Sequence, residues 1–317
     1  MPAQRILFVK LSSLGDVIHH MPAVTDLARH LPDAHVAWAV EEAYAELVRL
    51  HPAVDESIAI GLRGLRARPR ERARWKRAAA ARRALAAGRW DRVIDTQGLI
   101  KSAMVARAAR ARSFGFDSAS AREPLAAWLY HERVAVPRAL HAVERNRRLV
   151  AAAFGYEVEG EADYGLEAPP YPPAWAPRGH YAVMLHAASR ADKQWPDGHW
   201  VELARNLAAR GYATVFPGGS DAERIAAGRL ALLVPGALAA PEMDLWVAAT
   251  LIAHASLVVG VDTGLTHLGV ALGRRTVGIY RATEPRLTGL HGANGTSLGG
   301  PGREPTVAEV AAALEAS

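Results

Sequence analysis

Short apolar runs alternate with amphipathic segments along the first hundred residues of the chain. The run at 5–11 leads into a glycine-containing turn, and the following segment, 17–31, repeats its apolar residues at helical spacing. Further strands are predicted at 34–40, 57–60 and 90–98, and further helices at 41–52 and 66–87. Strands that alternate with helices indicate a parallel sheet covered on both faces.

A second alternation follows a proline-rich passage at 168–179, which cannot continue a helix or a central strand. It predicts strands at 181–187, 212–219, 256–262 and 275–280, and helices at 199–211, 221–231, 243–255 and 263–273. A length of 317 residues also suits two hydrophobic cores better than one. We therefore expect an α/β protein with two Rossmann-like, doubly wound domains, 1–170 and 171–317, that face a cleft. The final helix could alternatively pack back on the first domain.

The composition favours a cytoplasmic enzyme. Hydrophobic residues make up 50% of the chain and charged residues 22%, as in ordinary globular proteins. The chain has no cysteine, which excludes disulfides, thiolate metal sites and a cysteine nucleophile. The first apolar stretch is too short for a signal peptide, and the stretch at 246–261 is too short for a membrane span.

Positive charge is concentrated in the first half of the chain. The net charge is +6, and residues 63–77 contain eight Lys and Arg residues against the single acid Glu71. Polyanions, anionic lipid surfaces and acidic substrates are all compatible with this pattern. The segment could equally be the solvated face of a helix. Trp75 is its only aromatic residue, which argues against nucleic-acid binding.

The first candidate site is the turn Ser12-Ser13-Leu14-Gly15-Asp16, between the first strand and the first helix. Ligands of open α/β sheets bind at this end of the strands. Asp16 could be a helix N-cap, or it could be a general base at the mouth of a cleft. The neighbouring pair His19-His20 does not predict a metal site, because adjacent helical residues point in different directions.

The second candidate site is the turn at 260–267, together with the loop at 189–196. The turn has small residues that let a phosphate approach the backbone at the start of a helix, and Thr263, Thr266 and His267 could hydrogen-bond it. The same residues could simply cap the helix. Lys193 could neutralise a diphosphate, or it could be solvated. Neither turn matches a Walker loop or a GxGxxG fingerprint.

Three blocks of sequence resemble the lipopolysaccharide heptosyltransferases of glycosyltransferase family 9, and those of type I in particular. They are KLSSLGDVIHHMPAV at 10–24, LHAASRADKQWP at 185–196 and VDTGLTHLGVALG at 261–273, and the similarity also includes SAREPLA at 120–126. The resemblance implies a GT-B fold and metal-independent, inverting glycosyl transfer without a cofactor. It also implies ADP-L-glycero-β-D-manno-heptose as the donor and the Kdo of Kdo2-lipid A as the acceptor.

The resemblance assigns roles to individual residues. Asp16 matches the family's base, and Lys193 matches a lysine that contacts the donor phosphates. The other residues that match donor-binding positions are Ser189, Glu223 near the ribose, Met243 beside the adenine, Asp262, Thr263, Gly264 and His267. Those that fall in acceptor-binding regions are Ser12, Gly15, Arg63, Arg66 and Arg122. Where the family has Thr-Thr before the lysine, this chain has Ala188-Ser189, so one hydroxyl is missing.

These matches imply a monomer that works on the cytoplasmic face of the inner membrane, bound peripherally to its anionic surface, with no nucleic-acid partner. Two other functions remain open at this point. One is a type II transferase that adds the next heptose to a different acceptor. The other is a non-catalytic basic protein that binds nucleic acid through residues 63–83.

Overall fold

A computed structural model of the protein describes residues 3–62, 64 and 70–315. The chain divides into two compact units, Met1–Leu166 and Glu167–Ser317. Each unit contains one sheet of six parallel strands. The alternation of strands and helices that the sequence predicts is therefore present in both halves.

The sheet of the first unit has the order β3-β2-β1-β4-β5-β6. Its strands are β1 Arg5–Val9, β2 His35–Glu41, β3 Glu56–Ile60, β4 Arg92–Asp95, β5 Ser113–Phe116 and β6 Glu132–Val134. The helices that we number here are α1 Leu14–Ile18, α2 Met21–His30, α3 Ala45–Val48, α4 Arg72–Ala87, α5 Ile100–Ala108 and α6 Ala142–Phe154, with 3-10 helices at Glu42–Tyr44 and Pro124–Leu129. The strand order reverses between β1 and β4, which makes their carboxyl ends the topological switch point of this sheet.

The sheet of the second unit has the order β12-β11-β10-β7-β8-β9, the same topology read from the opposite edge. Its strands are β7 Tyr181–Leu185, β8 Ala213–Phe216, β9 Leu238–Ala239, β10 Leu257–Val261, β11 Arg275–Tyr280 and β12 Gly295–Gly299. Its helices are α7 Asp197–Ala209, α8 Asp221–Leu232, α9 Leu245–Ala253, α10 Gly264–Ala271, α11 Pro285–Thr288 and α12 Val307–Ala313, with a 3-10 helix at Ala191–Lys193. Its switch point lies between β7 and β10.

The final helix packs within the second unit. Val307, Val310 and Leu314 belong to the same buried cluster as Trp200 and Val259. None of the helices in the described part of the chain has the length and hydropathy of a membrane span.

The helix expected over 17–31 is divided in two. α1 ends at Ile18, and α2 starts at Met21 with Pro22 in its first turn. Proline lacks a backbone N–H, and its ring collides with the carbonyl of the residue four positions earlier, which here is Ile18. α1 is consequently a single short turn of five residues next to the carboxyl end of β1.

Gly260 is required in β10 because no side chain fits there. A Cβ atom at this position would overlap the hydroxyl of Thr266 and lie 2.9 Å from Cβ of Leu185. We expect Gly260→Ala to lower the free energy of unfolding by about 1–3 kcal/mol, measured by urea denaturation. Gly228→Ala is the matched control, because its Cβ meets nothing within 4 Å and α8 gains a better helix former. Unchanged stability of Gly260→Ala would contradict this account of the packing.

Candidate active site

The first candidate site lies at the switch point of the first sheet, where Gln97 ties two loops together. Its Oε1 accepts the N–H of Leu11 at 2.8 Å, and its Nε2 donates to the carbonyl of Ser12 at 2.8 Å. The loop after β4 therefore fixes the backbone of the loop after β1. This is the loop that carries Ser12 and leads into α1.

Asp16 lies at the third position of α1, so the N-cap residue is Ser13 and not Asp16. The carboxylate of Asp16 accepts the N–H of Ser13 at 2.9 Å and its hydroxyl at 3.1 Å. The guanidinium of Arg122 is 3.6 Å from the same carboxylate. Gly15 occupies the preceding helical position, and its carbonyl accepts the N–H of His19 at 2.8 Å. The structure thus brings Ser12, Gly15, Asp16 and Arg122 together, and the Asp16 side chain is still 27% exposed.

Buried charged groups support this site from within the first unit. Nζ of Lys10 donates to the carbonyl of Thr96 at 2.8 Å and to Asn146 at 3.3 Å. Burial lowers the pKa of Lys10 to about 8, although the carboxylates of Asp16 and Asp95 oppose this shift. Burial raises the pKa of Asp95 in turn, and this carboxyl group accepts the hydroxyl of Tyr130 at 2.7 Å.

The second candidate site lies at the switch point of the second sheet and is centred on Asp262, directly after β10. Nζ of Lys193 is 2.6 Å from Oδ2 of Asp262, and the hydroxyl of Thr283 donates to the same oxygen at 2.6 Å. Nε2 of His267 is 3.9 Å from Oδ1. Thr263 is the N-cap residue of α10 and Gly264 its first residue, so the N-terminus of an eight-residue helix adjoins the ion pair. Lys193 is therefore oriented by Asp262, which belongs to a different loop.

The three donors determine the charge of Asp262. Burial alone would raise the pKa of this carboxyl group, but the hydrogen bonds from His267, Lys193 and Thr283 hold it well below the usual range. Asp262 is thus ionised throughout the neutral range. A carboxylate with a lowered pKa stabilises the folded state above its unfolded pKa, and this contribution is lost as the pH falls through the folded value.

We expect Thr283→Val to destabilise the protein by about 1–2 kcal/mol at neutral pH, because a charge-assisted hydrogen bond disappears. The pKa of Asp262 then rises towards its usual value, so the destabilisation should shrink once the pH falls below about 4. Urea denaturation at neutral and acid pH measures both effects. Thr214→Val is the control, since its buried hydroxyl has no hydrogen-bond partner, and we expect little change there. A Thr283→Val effect that is the same at both pH values would contradict the charge argument.

The other donor-binding residues expected from the sequence lie in loops and at a helix start of the second unit. Glu223 closes a capping box at the start of α8, where it accepts the N–H groups of Gly219 at 2.8 Å and Ser220 at 3.1 Å. Met243 is half-buried just before α9, and Ser189 is exposed in the loop before Lys193.

Arg63 and Arg66 lie outside the described residues. Thr283 and the buried Lys10, which interacts electrostatically with Asp16, were not predicted from the sequence. A lysine at the end of a buried apolar run was a usable signal for Lys10, whereas Thr283 had none. In the described part of the chain, no group of three or more His, Cys, Asp or Glu residues could hold a metal ion.

Comparisons with known proteins agree with this geometry. A model of glycosyltransferase family 9 (heptosyltransferase) matches residues 78–313. Lipopolysaccharide heptosyltransferase 1 of Pseudomonas aeruginosa is 41% identical over 300 residues, which cover 93% of this chain and 83% of that protein. Lipopolysaccharide heptosyltransferase 2 of Escherichia coli K12 is 35% identical over 101 residues, only 30% of this chain.

Among solved structures, the E. coli heptosyltransferase WaaC with ADP superimposes with a TM-score of 0.91 at 38% identity, covering 98% of this chain and 99% of that one. The predicted fold class of two Rossmann-like GT-B domains is confirmed by this similarity and by the two parallel sheets.

Proposed function

We propose a specific reaction for this chain, from the premise that it belongs to glycosyltransferase family 9 and is a heptosyltransferase of lipopolysaccharide inner-core biosynthesis. In this proposal, the protein transfers L-glycero-D-manno-heptose from ADP-heptose to the Kdo of Kdo2-lipid A. The observation that carries the proposal is the similarity to type 1 transferases over 93% of the chain. The match to a type 2 transferase covers 30%, which favours the first transfer over the next one.

On the acceptor side, Asp16 acts as the general base. Its partly exposed carboxylate takes the proton of the attacking Kdo hydroxyl as the oxygen bonds to the anomeric carbon of heptose. The bond from this carbon to the ADP oxygen breaks, and the configuration inverts. The hydrogen bonds from Ser13 fix the direction of the carboxylate. Arg122, 3.6 Å away, is suited to hold an acidic group of the acceptor beside the base.

On the donor side, Lys193 and the N-terminus of α10 stabilise the negative charge that develops on the departing ADP. The remaining donor contacts in the proposal are Ser189, Glu223, Met243, Asp262, Thr263, Gly264 and His267. The ion pair with Asp262 supports this role, because it holds the ammonium of Lys193 in place before the donor binds. With Ala188 lacking a hydroxyl, the phosphate contact of that position passes to Ser189 or to backbone N–H groups of the loop.

We further propose that the protein is a monomer that works at the cytoplasmic face of the inner membrane, where its acceptor is anchored. Ser12, Gly15 and Arg122 line the acceptor side, and Arg63 and Arg66 add positive charge from their basic segment. The net charge of +6 supports an encounter with an anionic lipid surface, where each Lys or Arg contributes about 1 kcal/mol.

Mass spectrometry of Kdo2-lipid A incubated with the protein and ADP-heptose tests the proposal. A mass gain of one heptose supports it. If the mass gain occurs only on an acceptor that already carries one heptose, the protein catalyses the next transfer. A thermal shift with DNA and none with ADP-heptose would instead favour the nucleic-acid-binding alternative.

A further inference from the structure

Four large apolar side chains of the first unit are exposed on two adjoining segments. Met104 is 62% exposed, Leu125 66% and Trp128 69%, and Ile100 at the start of α5 is 37% exposed. α5 packs against the 3-10 helix Pro124–Leu129 through a small core of Ala103, Ala126 and Tyr130. These four outward-facing residues, Ile100, Met104, Leu125 and Trp128, are called the apolar patch below.

The surroundings of the apolar patch are basic. Residues 100–110 and 122–134 contain five Lys and Arg residues, namely Lys101, Arg107, Arg110, Arg122 and Arg133, and only two acids, Glu123 and Glu132. Both acids are engaged: Glu123 accepts the N–H of Ile100 at 2.6 Å, and Glu132 pairs with Arg112 at 2.6 Å. The guanidinium of Arg133 lies over the ring of Trp128, 5.1 Å from its centroid. The surface therefore combines apolar side chains with a local excess of positive charge.

The apolar patch lies beside the proposed acceptor site. Ile100 starts the helix that follows β4, whose carboxyl end forms the switch point with β1. Arg122, three residues before Leu125, is 3.6 Å from Asp16. A lipid-linked acceptor presents its sugars at the level of the headgroups. A surface that enters the bilayer next to Asp16 would bring the base to this level.

We propose that the apolar patch docks the protein on anionic phospholipid bilayers, with Leu125 and Trp128 entering the interface and the surrounding cations contacting the headgroups. Tryptophan and leucine next to basic residues are the side chains that amphipathic interfacial segments use. The charge of the rim selects an anionic bilayer over a protein surface of mixed charge. This inference rests on the proposed function only in its link to the acceptor, because vesicle binding is measured without any substrate.

The test compares Leu125→Gln/Trp128→Gln with the wild-type protein on vesicles of phosphatidylcholine with and without phosphatidylglycerol. We expect the wild type to sediment with the anionic vesicles, and the variant to lose at least ~10-fold in partition coefficient. Ile225→Gln/Leu232→Gln is the matched control, because both residues are exposed, at 67% and 89%, on the second unit. Higher salt should weaken binding of the wild type.

Kinetics separate this inference from the proposed function. The patch variant should keep wild-type kcat/KM on a deacylated, water-soluble acceptor and lose it on an acceptor embedded in vesicles. The inference is overturned if the patch variant binds vesicles as well as the wild type does. It is also overturned if the control variant loses as much vesicle binding as the patch variant. The inference also fails if light scattering shows a dimer that needs the intact patch while the patch variant still binds vesicles like the wild type. If neither acceptor is glycosylated but vesicle binding depends on the patch, the proposed function fails and the docking surface stands.

Discussion

Asp16→Asn is expected to lower kcat at least ~10²-fold, because general-base catalysis contributes about 10²–10⁴. The donor KM should stay close to the wild-type value, since the residues that we assign to ADP-heptose belong to the second unit. Asparagine keeps an oxygen that can accept the N–H of Ser13, so α1 retains its local support. It cannot take a proton from the acceptor hydroxyl. Steady-state kinetics on Kdo2-lipid A with varied ADP-heptose measure both parameters.

Another capping box provides the control for Asp16. Glu309 accepts the N–H of Thr306 at 2.8 Å and its hydroxyl at 3.1 Å, which repeats the contacts between Asp16 and Ser13. Glu309→Gln should therefore show what loss of such a carboxylate does to a helix start, with kcat unchanged. If Asp16→Asn gives the same result, with full activity and a lowered Tm, Asp16 is a capping residue and not the base.

The alternation of the sequence was enough to predict the central strands of both sheets. β1, β4, β7 and β10 are short apolar runs followed by polar turns, and they flank the two switch points. Burial on both faces makes such strands continuously apolar, which is why the pattern identifies them. The candidate turns at Asp16 and Asp262 could be located for the same reason, since each directly follows one of these runs.

Four strands were not predicted in this way, although the edge strand β3 was. β5 has four residues, β6 three and β9 two, and β12 is the sequence Gly-Thr-Ser-Leu-Gly. Runs of two or three residues carry no measurable period, and these four strands are held by pairing with their neighbours. The break after α1 was missed because the helical spacing of 17–31 continues across Pro22. There the covalent constraint of proline overrides the pattern.

The contacts inside the second site depend on strand order. Lys193 and Asp262 are 69 positions apart in the chain, and they meet because β7 and β10 are neighbours in the sheet. Thr283 follows β11, the strand on the other side of β10. The sequence indicates that all three residues follow strands. The order in which the strands pair decides which of them touch.

Lys193→Ala is expected to lower kcat on the order of 10²–10³-fold, by analogy with loss of a preorganised charge partner. The donor KM should rise by less, because an interaction that strengthens towards the transition state acts chiefly on kcat. Lys193→Arg should recover only part of the loss, since a planar guanidinium replaces a compact ammonium. Steady-state kinetics with varied ADP-heptose separate the two parameters.

The ion pair with Asp262 allows a double-variant test of the role of Lys193. Without the lysine, Asp262 keeps its negative charge, since Thr283 and His267 still support the carboxylate, and this charge is left to repel the departing diphosphate. Lys193→Ala/Asp262→Asn should therefore recover part of the kcat that Lys193→Ala loses, and the two effects should not add. Additive losses would mean that Asp262 acts independently of the lysine. A rise in donor KM with kcat intact would reduce Lys193 to a ground-state phosphate contact. Wild-type kinetics in Lys193→Ala would leave the N-terminus of α10 alone to stabilise the leaving ADP.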